Sequence, residues 1–200
     1  MSTNCLLCGV GGQGTVLASK LIAYAAMQKG AFVRTSETIG MAQRGGCVVS
    51  HVRMGDEIFS PLIPVGAADI IIGFEPAEAV RCLPYLKPDG VVVVNQKAVK
   101  PTTATLSGTA YDGTEMLAAL KAYTPHLIIV DGDAVCAEAG SAKVLNIVLL
   151  AAAAESGALG LTAGDLRSAI VKRIPEKFHQ MNLRAVDLVC ASQKIGGTAK

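Results

Sequence analysis

Asn4-Cys5-Leu6-Leu7-Cys8, followed by Gly9-Val10-Gly11-Gly12-Gln13-Gly14, is the stretch that decides the fold. Residues 4–8 read as a buried strand, and residues 13–29 as the helix after it. Between them Gly9, Gly11 and Gly14 fit G-x-G-x-x-G. In a strand–turn–helix setting such glycines serve a tight turn and a close backbone approach to an anion at the helix N-terminus. Three readings stay open for this loop: a tight turn without a ligand, a site for a phosphate-bearing ligand, or an interface loop. An acidic residue about 20 positions further on would complete a dinucleotide fingerprint. Glu37 stands there, but Arg34-Thr35-Ser36 beside it do not make a clean ribose site.

Outward from that loop the pattern is strand and helix in alternation. Ala18, Leu21, Ile22 and Ala25 recur at helical spacing. Ala31–Thr35 reads as a second strand, Glu37–Gly46 as a loop, and Cys47–Met54 as an extended strand that Glu57–Ser60 pairs with as a hairpin. Ile70–Phe74 and Val91–Asn95 are continuous apolar runs, the signature of parallel strands covered on both faces. Glu75-Pro76 opens a helix to about Leu83, and Pro88-Asp89-Gly90 reads as a turn. Residues 96–112 read as a connection or edge hairpin, 115–123 as a helix, 127–131 as the last clear strand, and 133–138 and 143–156 as helices. Thr162 is placed to cap a helix to Arg173, and residues 176–193 form a final amphipathic helix. The expected architecture is α/β: a mostly parallel sheet with helices on both faces, an added antiparallel hairpin and C-terminal helices. One domain is expected over 1–195, with 196–200 as a frayed tail. Both glycine motifs then fall at carboxyl strand ends, as do Phe74-Glu75 and Asn95-Gln96.

Composition narrows the function classes. Half of the 200 residues are hydrophobic, so the chain can build a sizeable aliphatic core. The net charge is +2 without a basic run, which speaks against nucleic acid. Charged residues are sparse at 17%, a sign that a partner covers part of the surface. No signal-peptide pattern opens the sequence, and the apolar run Ile147–Ala154 is too short to span a bilayer, so a cytoplasmic protein with no membrane partner is expected. The six cysteines are scattered, and only Cys5 and Cys8 are close. Three apart in a strand, they point to opposite faces and are expected as buried, reduced thiols. His51, His126 and His179 stand apart, and no metal-ligand spacing or catalytic set emerges. No catalytic residue and no metal ligand is assigned. That absence suits a subunit that completes another protein's site.

Glu37-Thr38-Ile39-Gly40-Met41-Ala42-Gln43-Arg44-Gly45-Gly46 shifts the balance. An arginine and an amide among glycines can offer backbone donors and a bidentate guanidinium to an anion or a partner. Gly-Gly-Gln-Gly followed by Gly-Met-Ala-Gln-Arg-Gly-Gly resembles the gamma-type subunit or domain of the 2-oxoacid:ferredoxin oxidoreductases. Within that family the chain is most similar to the small beta subunit of the indolepyruvate enzymes. The likeness runs through Asp133-Ala134, Asn146 and Asn182-Leu183-Arg184-Ala185.

The resemblance implies an accessory subunit, inactive alone, of an enzyme that oxidatively decarboxylates a 2-oxoacid to an acyl-coenzyme A with ferredoxin as acceptor. It implies that thiamine diphosphate, Mg and iron–sulfur clusters sit in a large partner subunit and that this chain alone holds none. Coenzyme A is a co-substrate whose site this chain helps to shape. Gly11, Gly12, Gln13 and Gly14 would form one loop of that interface, and Gly40, Gln43, Arg44, Gly45 and Gly46 the other. Thr38-Ile39 stand where some relatives carry histidine. Pyruvate and 2-oxoglutarate enzymes, a stand-alone nucleotide-binding module, a structural scaffold and a homodimer of the isolated chain remain as alternatives.

Overall fold

The computed structural model describes residues 2–39, 46–99, 111–191 and 195–196. Seven described strands form one sheet: β1 (Thr3–Val10), β2 (Phe32–Ile39), β3 (Cys47–Gly55), β4 (Ala68–Gly73), β5 (Leu86–Asn95), β6 (Leu127–Val130) and β7 (Ile195–Gly196). Their spatial order is β2-β3-β1-β4-β5-β6-β7. The pairs β1–β4, β4–β5 and β5–β6 are parallel. The helices are α1 (Thr15–Gln28), α2 (Pro76–Cys82), α3 (Thr114–Tyr123), α4 (Gly132–Ala139), α5 (Leu145–Glu155), α6 (Ala163–Arg173) and α7 (His179–Ala191).

The order of the strands locates the site. From β1 the chain passes through α1 to β2 on one side of the sheet; from β4 it steps through β5 to β6 on the other. The direction reverses between β1 and β4, and the crevice at their carboxyl ends is where open α/β sheets bind ligands. Both faces are covered. One core joins Leu7, Ile70, Ile72 and Val93 to α1 and α4–α7. The other joins Leu6, Ile71, Val92 and Val94 to α2 and to Leu120 of α3. This is why the Ile and Val runs are unbroken rather than alternating. Cys5 belongs to the first core and Cys8 to the second, as their spacing in the strand requires.

The amino ends of the strands are tied by polar bonds. The Asn4 N–H donates to Asp69 Oδ2 at 2.7 Å, and its amide donates to the Ala67 carbonyl at 2.9 Å. Arg53 Nε donates to Asn4 Oδ1 at 2.9 Å. α6 carries a capping box, with Thr162 and Asp165 each bonding the other's backbone. Glu75 caps α2, with Pro76 in the first turn.

Four expectations are corrected. β2 extends through Glu37 to Ile39, because its full length pairs with β3, so the second loop starts later than Glu37. Residues 57–60 do not pair back on β3; its neighbours are β1 and β2, and these make the antiparallel part of the sheet. Pro88-Asp89-Gly90 lies within β5, where Leu86 pairs with Ala68 and Val91 with Ile70, so the extra residues form an irregular bulge rather than a turn before the strand. Gly196, placed in the tail, pairs with Ile129 instead. Most of the 96–112 connection lies outside the described residues.

Candidate functional site

The site begins where β1 and β4 end together. The Phe74 N–H donates to the Cys8 carbonyl at 2.8 Å. Gly9 then turns the chain at close quarters: a Cβ there would lie 2.7 Å from both Gln13 Oε1 and Phe74 Cβ. Gln13 works as a strap. Its Oε1 accepts from the Val10 N–H at 2.7 Å, and its Nε2 donates to the Phe74 carbonyl at 3.0 Å. One side chain thus closes the glycine turn and joins it to β4.

Gly14 has φ +86° and caps α1 without a side-chain bond, and no acidic residue occupies the first turn of the helix. The positive end of α1 is therefore neither covered nor neutralised by its own turn. Asn146 of α5 packs against Gly14; its Nδ2 lies 3.1 Å from where a Cβ would stand. The two glycine motifs meet: the Gly11 N–H donates to the Gly46 carbonyl at 2.9 Å. The structure therefore brings Gly11, Gly12, Gln13, Gly14 and Gly46 into one loop cluster. Gly40, Gln43, Arg44 and Gly45 lie outside the described residues.

Around this cluster the strand-end polar groups are occupied, except for Asn95 Oδ1. Glu75 is buried; its Oε2 accepts from the Glu78 N–H at 3.1 Å and its Oε1 from the Tyr111 hydroxyl at 2.5 Å. Burial and the Glu75 carboxylate push the Tyr111 phenol above its ordinary value. Asn95 Nδ2 reaches the Phe74 carbonyl at 3.5 Å, and its Oδ1 is buried without a partner beneath Gly132. The Glu75–Tyr111 pair escapes sequence reasoning, because 36 residues separate its members. The only signal for it was the position of Glu75 at a strand end.

Glu37 is not placed for a ribose. β3 lies between β2 and β1, so Glu37 stands two strand spacings from the turn, each about 4.8 Å. Its Oε1 also accepts from the Ser19 hydroxyl at 2.8 Å. The histidines stand apart, as their spacing implies. His51 is buried, its Nδ1 accepts from the Ile63 N–H at 3.2 Å, and burial lowers its pKa. His179 Nε2 meets the Ile174 carbonyl at 2.7 Å. Asn182 docks its own helix, donating to the Phe178 carbonyl at 2.7 Å.

Cys8, Cys47 and Cys82 gather on the α2 face beside Glu78. A hydrogen bond with Cys82 and then burial raise the Cys8 thiol well above its ordinary value. Partial burial and a hydrogen bond to Glu78 push the exposed Cys47 thiol up to about 12. These two thiols stay protonated and are poor nucleophiles. Among the described residues no cluster of histidine, cysteine or carboxylate side chains could hold a metal ion. Also among these residues, no helix is long and apolar enough to cross a membrane.

The site is therefore a helix N-terminus without a side-chain cap, set at a switch-point crevice of an α/β sheet and bordered by the glycine turn and the Gln13 strap. Residues 4–191 match the family model for pyruvate ferredoxin/flavodoxin oxidoreductase, and the chain belongs to that family. Indolepyruvate oxidoreductase subunit IorB of Pyrococcus horikoshii is 33% identical over 187 residues, covering 92% of this chain and 93% of that protein. The gamma subunit of a keto/oxoacid ferredoxin oxidoreductase from Geobacter sulfurreducens shares the fold, with a TM-score of 0.68 at 22% identity and 94% of each chain covered. The fold recurs in the 2-oxoglutarate:ferredoxin oxidoreductase of Magnetococcus marinus, with a TM-score of 0.67 at 19% identity. There 96% of this chain matches 32% of the longer one. This chain is thus similar over nearly its whole length to accessory subunits of 2-oxoacid:ferredoxin oxidoreductases.

Proposed function

We propose that this chain is the accessory subunit of a cytoplasmic 2-oxoacid:ferredoxin oxidoreductase whose substrate is an indolepyruvate-type 2-oxoacid. The names of the relatives support that substrate class. The overall reaction releases carbon dioxide, transfers the acyl group to coenzyme A and passes two electrons to ferredoxin. Thiamine diphosphate, Mg and the clusters belong to a large companion subunit, where the thiamine ring supplies the decarboxylation chemistry. This chain contributes a wall: Gly11–Gly14 and Gly46, with Gly40, Gln43, Arg44 and Gly45 from the second motif, face the companion and the coenzyme A phosphates.

The observation that carries this reading is the Gly11–Gly46 hydrogen bond, which joins both motifs above an α1 N-terminus with no acidic residue in its first turn. A lone nucleotide-binding module is the weaker reading, because Glu37 is displaced by a strand and bonded to Ser19. Reconstitution tests the proposal. Neither subunit alone should turn over, and the pair should; Arg44→Ala should raise the KM for coenzyme A while leaving assembly intact. Full 2-oxoacid oxidation by the companion without this chain would overturn it.

A further inference from the structure

A cleft of about 250 Å³ opens beside the glycine loop, between the first turn of α1, the short turn Ala142–Val144, the end of α6 and the start of α7. Leu17, Val144, Ile174, Phe178 and Met181 give it apolar walls. Leu17 and Phe178 are 41% and 38% exposed, so two large side chains flank the opening without cover. Lys143 and Arg173 also line the cleft, with the amides of Asn146 and Asn182.

These polar groups are not used up internally. Asn146 uses its Oδ1 to accept from the Ile147 N–H at 3.0 Å, and Asn182 uses its Nδ2 on Phe178. Among the described residues neither the Asn146 Nδ2 donor nor the Asn182 Oδ1 acceptor has a hydrogen-bond partner. The guanidinium carbon of Arg173 lies 5.4 Å from the Tyr24 ring centroid. That distance is within cation–π range, a contact that does not use up the guanidinium's N–H donors. Among the described residues, neither Arg173 nor Lys143 is paired with a carboxylate. Apolar walls with a few convergent polar groups are what small-molecule sites have in common.

We propose that this cleft binds a hydrophobic monocarboxylate. Its apolar body, no larger than two fused rings, lies against Leu17, Phe178 and Met181. Its carboxylate meets Arg173 and Lys143, with Asn146 Nδ2 as a neutral donor. The volume falls below the roughly 300 Å³ at which pockets for drug-sized ligands begin, which suits a small ligand. Two cations and one amide donor suit a single carboxylate rather than a polyphosphate. The inference stands on the cleft alone and holds whether or not the oxidoreductase reading does.

The test uses the full chain, with 1-naphthaleneacetate as probe and 1-naphthaleneacetamide as its neutral counterpart. Binding is read by calorimetry and by ligand-observed saturation transfer, which does not depend on heat. The acid should bind one-to-one and about tenfold more tightly than the amide, the worth of one charge-assisted hydrogen bond. Arg173→Gln should remove that difference and leave amide binding unchanged, and Leu17→Glu should abolish both. Lys143→Gln provides the same charge test if Arg173→Gln does not fold. Absence of saturable binding would overturn the proposal, as would acid binding that Leu17→Glu leaves intact.

Discussion

Replacing Gln13 by alanine separates two roles that the sequence leaves open. In the structure its amide is a strap, bonded to the Val10 N–H at 2.7 Å and to the Phe74 carbonyl at 3.0 Å. Each such bond is worth about 0.5–1.5 kcal/mol net, so losing both costs about 2 kcal/mol. That is a factor of about 30 in the folded-to-unfolded ratio. Urea unfolding should show a lower midpoint at unchanged slope. Gln13→Glu should be no better: its carboxylate can still accept from Val10 but cannot donate to Phe74, and it faces that carbonyl as a like charge. A Gln13→Ala protein with full stability but a lost dependence on coenzyme A or companion would refute the strap. Gln13 would then be a ligand contact whose bonds within the chain are incidental.

Three further outcomes follow from the geometry. Gly73→Ala puts a Cβ 2.7 Å from Ala79 Cβ and 3.2 Å from Val94 Cγ2. Overpacking there should cost about 1–3 kcal/mol in urea unfolding, and a change below about 0.5 kcal/mol would contradict the close approach of α2 to the sheet. Burial lowers the His51 pKa in the folded chain, so as pH falls through the ordinary value of 6.5 the unfolded chain takes up the proton first. His51 therefore stabilises fully above that value and progressively less below it; His51→Asn, which keeps an acceptor for Ile63, should flatten thermal stability between pH 7 and pH 5. Cys47 is solvent-exposed, yet its pKa of about 12 leaves it almost wholly protonated. Iodoacetamide at pH 8 should alkylate it on the order of a thousandfold more slowly than an unperturbed thiol, and Glu78→Gln should quicken the reaction, read by mass spectrometry.

What was legible in the sequence depended on the range of the interaction. Continuous Ile and Val runs marked parallel strands because burial on both faces leaves no polar alternation. The Thr162 cap was legible because its partner, Asp165, is three residues away. The antiparallel part of the sheet was assigned to the wrong partner, since alternation in Cys47–Met54 shows a half-polar face but not which strand lies beside it. Pro88-Asp89-Gly90 has turn chemistry, and only pairing with β4 on one side reveals it as a bulge. At the site, the glycines were legible because a turn at close quarters demands them. Asn146 and Asn182 read separately as helix amides, 36 residues apart. Packing of α7 onto α5, which itself lies against α1, brings both into one cleft, which no local pattern encodes.

The insertion of β3 explains why this chain keeps the dinucleotide loop without a complete dinucleotide site. A parallel neighbour of β1 on that side would bring its acidic end beside the glycine turn. Here an antiparallel strand occupies that place and delivers Gly46 to the turn instead, where its carbonyl takes the Gly11 N–H. Glu37, moved one strand out, is bonded to Ser19 and anchors β2 to α1. Glycine-rich and carrying Arg44, residues 40–46 have too little apolar surface to support a core of their own. The antiparallel β3 thus accounts at once for the displaced acidic strand end and for the arrival of Gly46 at the glycine turn.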